Sequence, residues 1–326
     1  MISEAESNAI KYIRVGSMLA IVLCHLLQAY SNRWAFVFNI GVQVFLALSG
    51  YLYGRKIISD WKQWGMGRVK RVYVPMFLFL IVVLPLYLFF HREVFSWKAY
   101  ALNFVNLQGI PFAMGGGMVQ GIRHLWFITA IMFAYLTTPL LHCLRNYADW
   151  VLPILLICVG LSYWMIPGPW VFIASWIFLY AIGYLYVQLN NQRQRFYEIG
   201  LILLEISLIV LVTLKFDIVT NYFHPLNRVF HDVSGVFIVV LGINLLSRLN
   251  MKNVPKIVDV FDKYSFHVFL VHYFFVAGPF SLAHITPYKF VNVLSIIVTV
   301  IVTTCLFVKL NDLANRLFFD KILKVK

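Results

Sequence analysis

Arg14-Val-Gly-Ser-Met-Leu-Ala-Ile-Val-Leu-Cys-His25 runs through an otherwise apolar segment and sets ten residues between a guanidinium and an imidazole. In a helix, steps of ~1.5 Å carry His25 roughly 16 Å beyond Arg14, about half of a ~30 Å hydrocarbon core. With Arg14 at one membrane face, the imidazole reaches the middle of the bilayer. A titratable group at that depth is costly to hold and marks a candidate functional position.

The chain around this stretch suits lipid. Of 326 residues, 61% are hydrophobic and 12% charged, and the mean hydropathy is +0.81; soluble domains have about 45 to 50% apolar and ~25% charged residues. Aromatic residues make up 17%, as expected of a chain with many membrane interfaces. Ten apolar stretches have spanning length, near 12–30, 34–53, 72–90, 124–142, 150–166, 170–189, 197–214, 229–247, 265–282 and 290–310. They predict an all-α polytopic membrane protein, a bundle of about ten transmembrane helices with both termini cytoplasmic. A single transmembrane domain is expected over 1–326, with 311–326 as a short amphipathic tail on the inner leaflet.

Charge supports this topology. With the termini inside, 20 of the 27 basic residues fall on the cytoplasmic side, leaving only Arg33, Arg92, Lys98, Arg123, Lys215, Arg228 and Lys289 outside. The net charge of +14 is therefore mostly topology, and nucleic acid is excluded as a partner. Lys11 and Arg14 ahead of an apolar run mimic a signal peptide, but the run holds His25, lacks a small-residue cleavage site and leads directly into a second run. The four cysteines show neither pairing nor metal spacing, and no metal is expected.

Four features stand out from the apolar background. Arg14 and His25 are the first. The second is the basic loop from Gly54 to Arg71, with Arg55, Lys56, Arg68 and Arg71; on an α-helix Arg68 and Arg71 share a face and can grip one phosphate, while Trp61 and Trp64 can stack on a base. Positive-inside charge alone explains the same loop. The third is the glycine-rich stretch from Gly115 leading into Arg123, His124 and Trp126, plausible sugar contacts or simply an interfacial belt. The fourth is a set of polar residues within spans: Ser49 and Tyr51 closing span two, Glu205 in span seven and His272 in span nine. Glu205 and His272 fall at depths similar to His25, and a carboxylate beside an imidazole orients it, which makes Glu205 the candidate partner of His25. There is no His-x-x-x-Asp, P-loop, Gly-x-Ser-x-Gly or metal-spaced His/Cys cluster.

In combination and order, several of these motifs resemble the integral-membrane acyltransferase type 3 family. They are Arg14-x10-His25, Phe45-Leu-Ala-Leu-Ser49-Gly50-Tyr51, Arg68-x-x-Arg71 and His124-Leu-Trp-Phe, followed by Ser265-Phe-His-Val-Phe-Leu-Val-His272, similar to the family's Ser-Tyr-x-x-Tyr-Leu-x-His. The resemblance implies a bacterial cytoplasmic-membrane enzyme that takes an acyl group, usually acetyl, from acyl-coenzyme A (acetyl-CoA) and passes it to a hydroxyl of a surface polysaccharide or lipid-linked glycan. It also implies an essential role for the histidine at His25 and coenzyme A binding at Arg68 and Arg71. Two departures are expected to matter: Lys11 stands where many members carry an acid, so Arg14 needs another partner, and no extracytoplasmic hydrolase-like domain follows the last span.

The resulting expectation is an O-acyltransferase in which His25 is general base, or carries the acyl group covalently, with Arg14 and Glu205 assisting. Arg55, Lys56, Arg68, Arg71, Ser49 and Tyr51 would serve the donor, and Arg123, His124, Trp126 and His272 the acceptor. The lipid bilayer and polysaccharide-synthesis machinery are the expected surroundings. Succinyl in place of acetyl, a flippase of lipid-linked saccharide, and a non-catalytic subunit of a polysaccharide complex are the alternatives.

Overall fold

The computed structural model describes residues 2–165, 170–220, 224–249 and 254–319. Among the described residues all regular structure is helical, and each of the ten apolar stretches holds a helix. They are α1 (Glu4–Ala29), α2 (Gly41–Gly54), α3 (Val74–Phe90), α4 (Trp126–Leu136), α5 (Ala148–Met165), α6 (Trp170–Tyr186), α7 (Asn191–Leu214), α8 (Pro225–Arg248), α9 (Lys256–Val276) and α10 (Lys289–Ala314). Long apolar runs fold this way because lipid offers no partner for backbone N–H and C=O groups, which a helix satisfies within itself.

Seven helical segments among the described residues are long and apolar enough to cross a membrane. The difference from ten has three sources. The fourth and fifth stretches join in one helical segment, Arg123–Met165; the apolar part of α6, Phe172–Tyr186, is shorter; and α9 begins with Lys256, Asp259, Asp262 and Lys263 among its first eight residues. Of the expected amphipathic tail, Asn315–Phe319 forms a π turn after α10, and 320–326 lie outside the described residues.

Contacts divide the chain into two compact units, each assembled from three segments. The first comprises Met1–Ile21, Phe36–Ile57 and Ala130–Asp262. Its centre is α2, which packs most extensively on α6 and next on α8. Glycines permit the closest approach: a Cβ at Gly50 would run into the Tyr180 carbonyl, and one at Gly183 into the Ala47 carbonyl, so each helix presents a bare backbone to the other.

The second unit comprises Val22–Ala35, Ile58–Thr129 and Lys263–Lys326. Here α3 packs on α10, and Leu26 of α1 joins Val276, Ala283, Ile296 and Val300 in a buried apolar cluster. The long connection 91–123 is tied down rather than loose. Tyr87 donates to the Gln120 carbonyl and Tyr100 to the Leu80 carbonyl, while Gln108 Nε2 donates to the Leu125 carbonyl at 2.7 Å. Gly121 and Gly278, both at positive φ, bring their backbones together where no Cβ would fit.

Candidate functional site

Three histidines from three parts of the chain meet in the second unit. His25 comes from α1, His272 from α9, and His124 from the 3-10 turn Arg123–Leu125 that leads into α4. His25 Nδ1 lies 2.8 Å from His272 Nε2, and the two rings are stacked with centroids 5.1 Å apart. His124 lies edge-on to His272 at 5.4 Å. Tyr273 stands between the outer two, its ring 4.7 Å from His25 and 4.9 Å from His124.

The hydrogen bonds fix where the protons sit. A carbonyl oxygen only accepts, so a ring nitrogen facing one carries the hydrogen. His272 Nδ1 faces the carbonyls of Phe269 at 2.9 Å and Val268 at 3.1 Å, both on its own helix. Its Nε2 is therefore the lone-pair nitrogen, and His25 Nδ1–H donates to it. His25 Nε2 is left unprotonated. By the same logic His124 Nε2–H donates to the Leu270 carbonyl at 3.1 Å, and His124 Nδ1 is the lone-pair atom. Burial separates their parts: His272 is 0% exposed and His124 2%, whereas His25 is only half-buried. The accessible imidazole carries the bare nitrogen, and the buried one orients it.

Other residues singled out from the sequence lie elsewhere. In the second unit, Arg123 is exposed and Trp126 stacks face to face on Phe112 at 4.7 Å. Arg68 ends the helix Trp61–Arg68, which Asp60 caps by accepting from Gln63 N at 2.8 Å, and Arg71 lies in the π turn Val69–Tyr73. A π turn is wider than an α turn, so residues three apart diverge further around the axis and do not share a face as α spacing predicts. Arg71 is exposed and Arg68 half-buried.

Arg14, Ser49, Tyr51, Arg55, Lys56 and Glu205 belong to the first unit. Arg14 Nη1 donates to both oxygens of Asp262, at 2.8 and 3.0 Å, and Lys11 pairs with Asp259 at 2.7 Å. The acid that the sequence lacks at position 11 is thus supplied by α9. Residues 11 and 14 are each separated from their partners by 248 positions, as in two helix segments that run in the same direction. Tyr51 donates to Glu6 at 2.6 Å, and Arg55 lies 3.1 Å from the Tyr51 hydroxyl and 3.4 Å from Glu6 Oε1, so its charge already faces a carboxylate. Lys56 reaches over the Tyr53 ring at 5.6 Å, and Ser49 is half-buried on α2. Glu205 is buried and accepts from Ser234 at 2.7 Å, while the hydrogen-bond partner of His25 is His272.

Sequence reasoning did not anticipate Tyr273, Asp262 or Glu6. Tyr273 had a usable signal, an aromatic hydroxyl directly after a mid-span histidine. The two acids had none, because their partners lie far away in the chain, 248 residues from Asp262 to Arg14 and 45 from Glu6 to Tyr51.

An unprotonated imidazole nitrogen at the accessible edge of a buried polar cluster can take a proton from a hydroxyl during attack on an acyl group. No curated protein and no solved structure matches the chain. The family model described as an acyltransferase domain matches residues 7–310, which is nearly the whole chain and includes all three histidines. The chain therefore belongs to the integral-membrane acyltransferase type 3 family and is a multi-pass membrane acyltransferase.

Proposed function

We propose that this protein is an O-acyltransferase of the bacterial cytoplasmic membrane. It moves an acyl group, acetyl in the simplest case, from acyl-coenzyme A to a hydroxyl of a surface polysaccharide or lipid-linked glycan, alongside the machinery that makes that glycan. The observation that carries the reading is the proton chain: backbone carbonyls hold the His272 proton on Nδ1, His272 holds the His25 proton on Nδ1, and half-buried His25 keeps Nε2 bare.

In this reading the acceptor hydroxyl attacks the thioester carbonyl carbon as its proton passes to His25 Nε2. The tetrahedral adduct collapses with cleavage of the C–S bond, and the departing thiolate takes the proton back from His25. One ester and one coenzyme A thiol result, with no change in oxidation state. Arg68 and Arg71 are assigned to the donor's phosphates, and Trp61 and Trp64, edge to face at 5.8 Å on the helix that Arg68 ends, to its base. Arg55 takes a smaller share because Glu6 faces its charge.

Solubilised protein supplied with acetyl-coenzyme A and a hydroxyl acceptor should release free thiol. His25→Ala should lower that rate by ~10²- to 10⁴-fold, the usual contribution of a positioned base. A variant that turns over at the wild-type rate would overturn the assignment.

A further inference from the structure

Topology explains the cations on the inner side of this protein but not those at the outer end of the second unit. Of the seven basic residues left outside by the charge count, Lys215 and Arg228 belong to the first unit. The other five, Arg33, Arg92, Lys98, Arg123 and Lys289, belong to the second, which also holds the three histidines. All five are exposed. Glu93 is the one acid in the outer connections of that unit, and it faces His91 at 3.2 Å. Five outer cations against one acid run opposite to the charge bias that orients a multi-pass chain. Lys289 is also the first residue of α10, whose first turn holds no acid, so its charge works against the helix dipole.

Contacts gather these connections at one end of the unit. Tyr30 donates to the Ala283 carbonyl at 2.8 Å, and His284 Nε2–H donates to the Ala29 carbonyl at 3.0 Å. Lys289 Nζ lies over the Tyr30 ring at 5.7 Å, and the Arg33 guanidinium lies 5.7 Å from the Trp34 ring. The chain after α9 meets the connection 91–123 in turn. Phe280 packs edge-on against His91 at 4.7 Å, and the Gly278 and Gly121 backbones touch, which brings Arg92 and Arg123 to the same end. α1 ends at Ala29, four residues beyond His25, so the stapled turn stands roughly 6 Å further along the helix axis than the imidazole.

Charges of one sign collected on one surface raise the local concentration of oppositely charged ligands and speed their encounter. Guanidinium groups add a fork that matches carboxylates and phosphates. We infer that the outer end of the second unit is a docking surface for an anionic glycan, whose carboxylates or phosphates meet Arg33 and Lys289 about one helical turn above His25. This deepens the proposed function and rests on its glycan acceptor. Trp34 and Tyr288, 54% and 70% exposed, present flat apolar faces in the same two turns. Such rings are ordinary at a membrane boundary, so the cations carry the inference.

The test measures equilibrium binding to full-length protein in nanodiscs of phosphatidylcholine, which carries no net charge. Tetragalacturonate and its methyl ester are the first pair of probes, the same sugar with and without its charges. A glycerol-phosphate oligosaccharide and its neutral counterpart are the second pair, which separates phosphate from carboxylate. At low salt one anionic probe should bind ~10-fold or more tighter than its neutral partner, the order expected of several exposed ion pairs. The ratio should approach one at 1 M salt, where the screening length is ~3 Å. Arg33→Gln combined with Lys289→Gln should cut the low-salt ratio at least threefold, while Arg33→Lys with Lys289→Arg keeps it. Lys215→Gln, at an exposed outer cation of the first unit, should leave it unchanged. A wild-type ratio near one in both pairs overturns the inference. A ratio that survives the double glutamine variant also overturns it and gives these cations to lipid headgroups, and an equal loss in Lys215→Gln overturns it in favour of overall charge. Binding is read without a donor, so the reaction is judged separately. Charge-dependent binding without thiol release from acetyl-coenzyme A would refute the reaction and leave the surface standing; thiol release indifferent to acceptor charge would do the reverse.

Discussion

Replacing His272 with phenylalanine keeps a planar ring in a fully buried position and removes the nitrogen that receives the His25 proton. His25 Nδ1–H then loses its acceptor in a desolvated place, at a cost of ~1–3 kcal/mol. The imidazole escapes that cost by moving its proton to Nε2, the nitrogen that base catalysis needs bare. At ~1.4 kcal/mol per decade, the working tautomer becomes ~5- to 150-fold rarer. On the proposed reaction, kcat falls by the same factor while the KM for acetyl-coenzyme A is unchanged, because the change affects the base and not the donor's phosphates. His272→Gln, whose side-chain oxygen can accept, should recover part of the loss. Steady-state thiol release gives the rates, and ¹⁵N-histidine spectra give the tautomer, which should change from Nδ1–H to Nε2–H in His272→Phe. A His272→Phe enzyme within about twofold of wild type in kcat would refute the reasoning. So would a loss of activity with the His25 tautomer unchanged.

Three further expectations concern the rest of the molecule. Asp262→Asn removes a partly buried pair whose side chains are 15% and 29% exposed, and should lower unfolding stability by ~1–3 kcal/mol, between the values for surface and buried pairs; an unchanged thermal midpoint would mean that solvent screens it fully. Gly50→Ala or Gly183→Ala should each cost ~1–3 kcal/mol or more by forcing α2 and α6 apart, whereas Gly16→Ala, with open space around its Cβ, should not; equal thermal midpoints for all three would contradict the packing. Converting Arg68 and Arg71 together to alanine should weaken coenzyme A binding by ~10-fold or more and flatten its salt dependence in equilibrium titrations, and an unchanged Kd would return these cations to a topological role.

The helices were legible because lipid leaves the backbone one local solution, and a run of apolar residues reports it without knowledge of neighbours. What the runs do not report is adjacency. Glu205 and His272 stood as equal companions of His25 by depth, and only helix packing gives Glu205 to Ser234 and His272 to His25. Arg14's partner Asp262 lies 248 residues on, and no local pattern encodes that distance. The Arg68 and Arg71 spacing presumed α geometry, which the π turn Val69–Tyr73 replaces. The connection 91–123 carries no local sign of its anchoring, yet tyrosine hydroxyls and a buried glutamine tie it to the helices around it, interactions that span up to 33 residues.

The substitution of an imidazole for the expected carboxylate also bears on chemistry. A carboxylate beside His25 would stabilise the imidazolium by charge as well as orient the ring. His272, neutral and with its one ring proton committed to α9 carbonyls, offers orientation alone. A proton-loaded His25 would therefore be held by a hydrogen bond without an opposing charge, inside a site desolvated on most sides. Such a species is best kept brief. In the proposed reaction, the proton that His25 takes from the acceptor should pass on to the departing thiolate as the C–S bond breaks, with no long-lived imidazolium between. A solvent isotope effect on the same step that carries an acyl-carbon isotope effect is the expected signature, and its separation into two steps would argue for a charged intermediate that the His25–His272 pair is not built to hold.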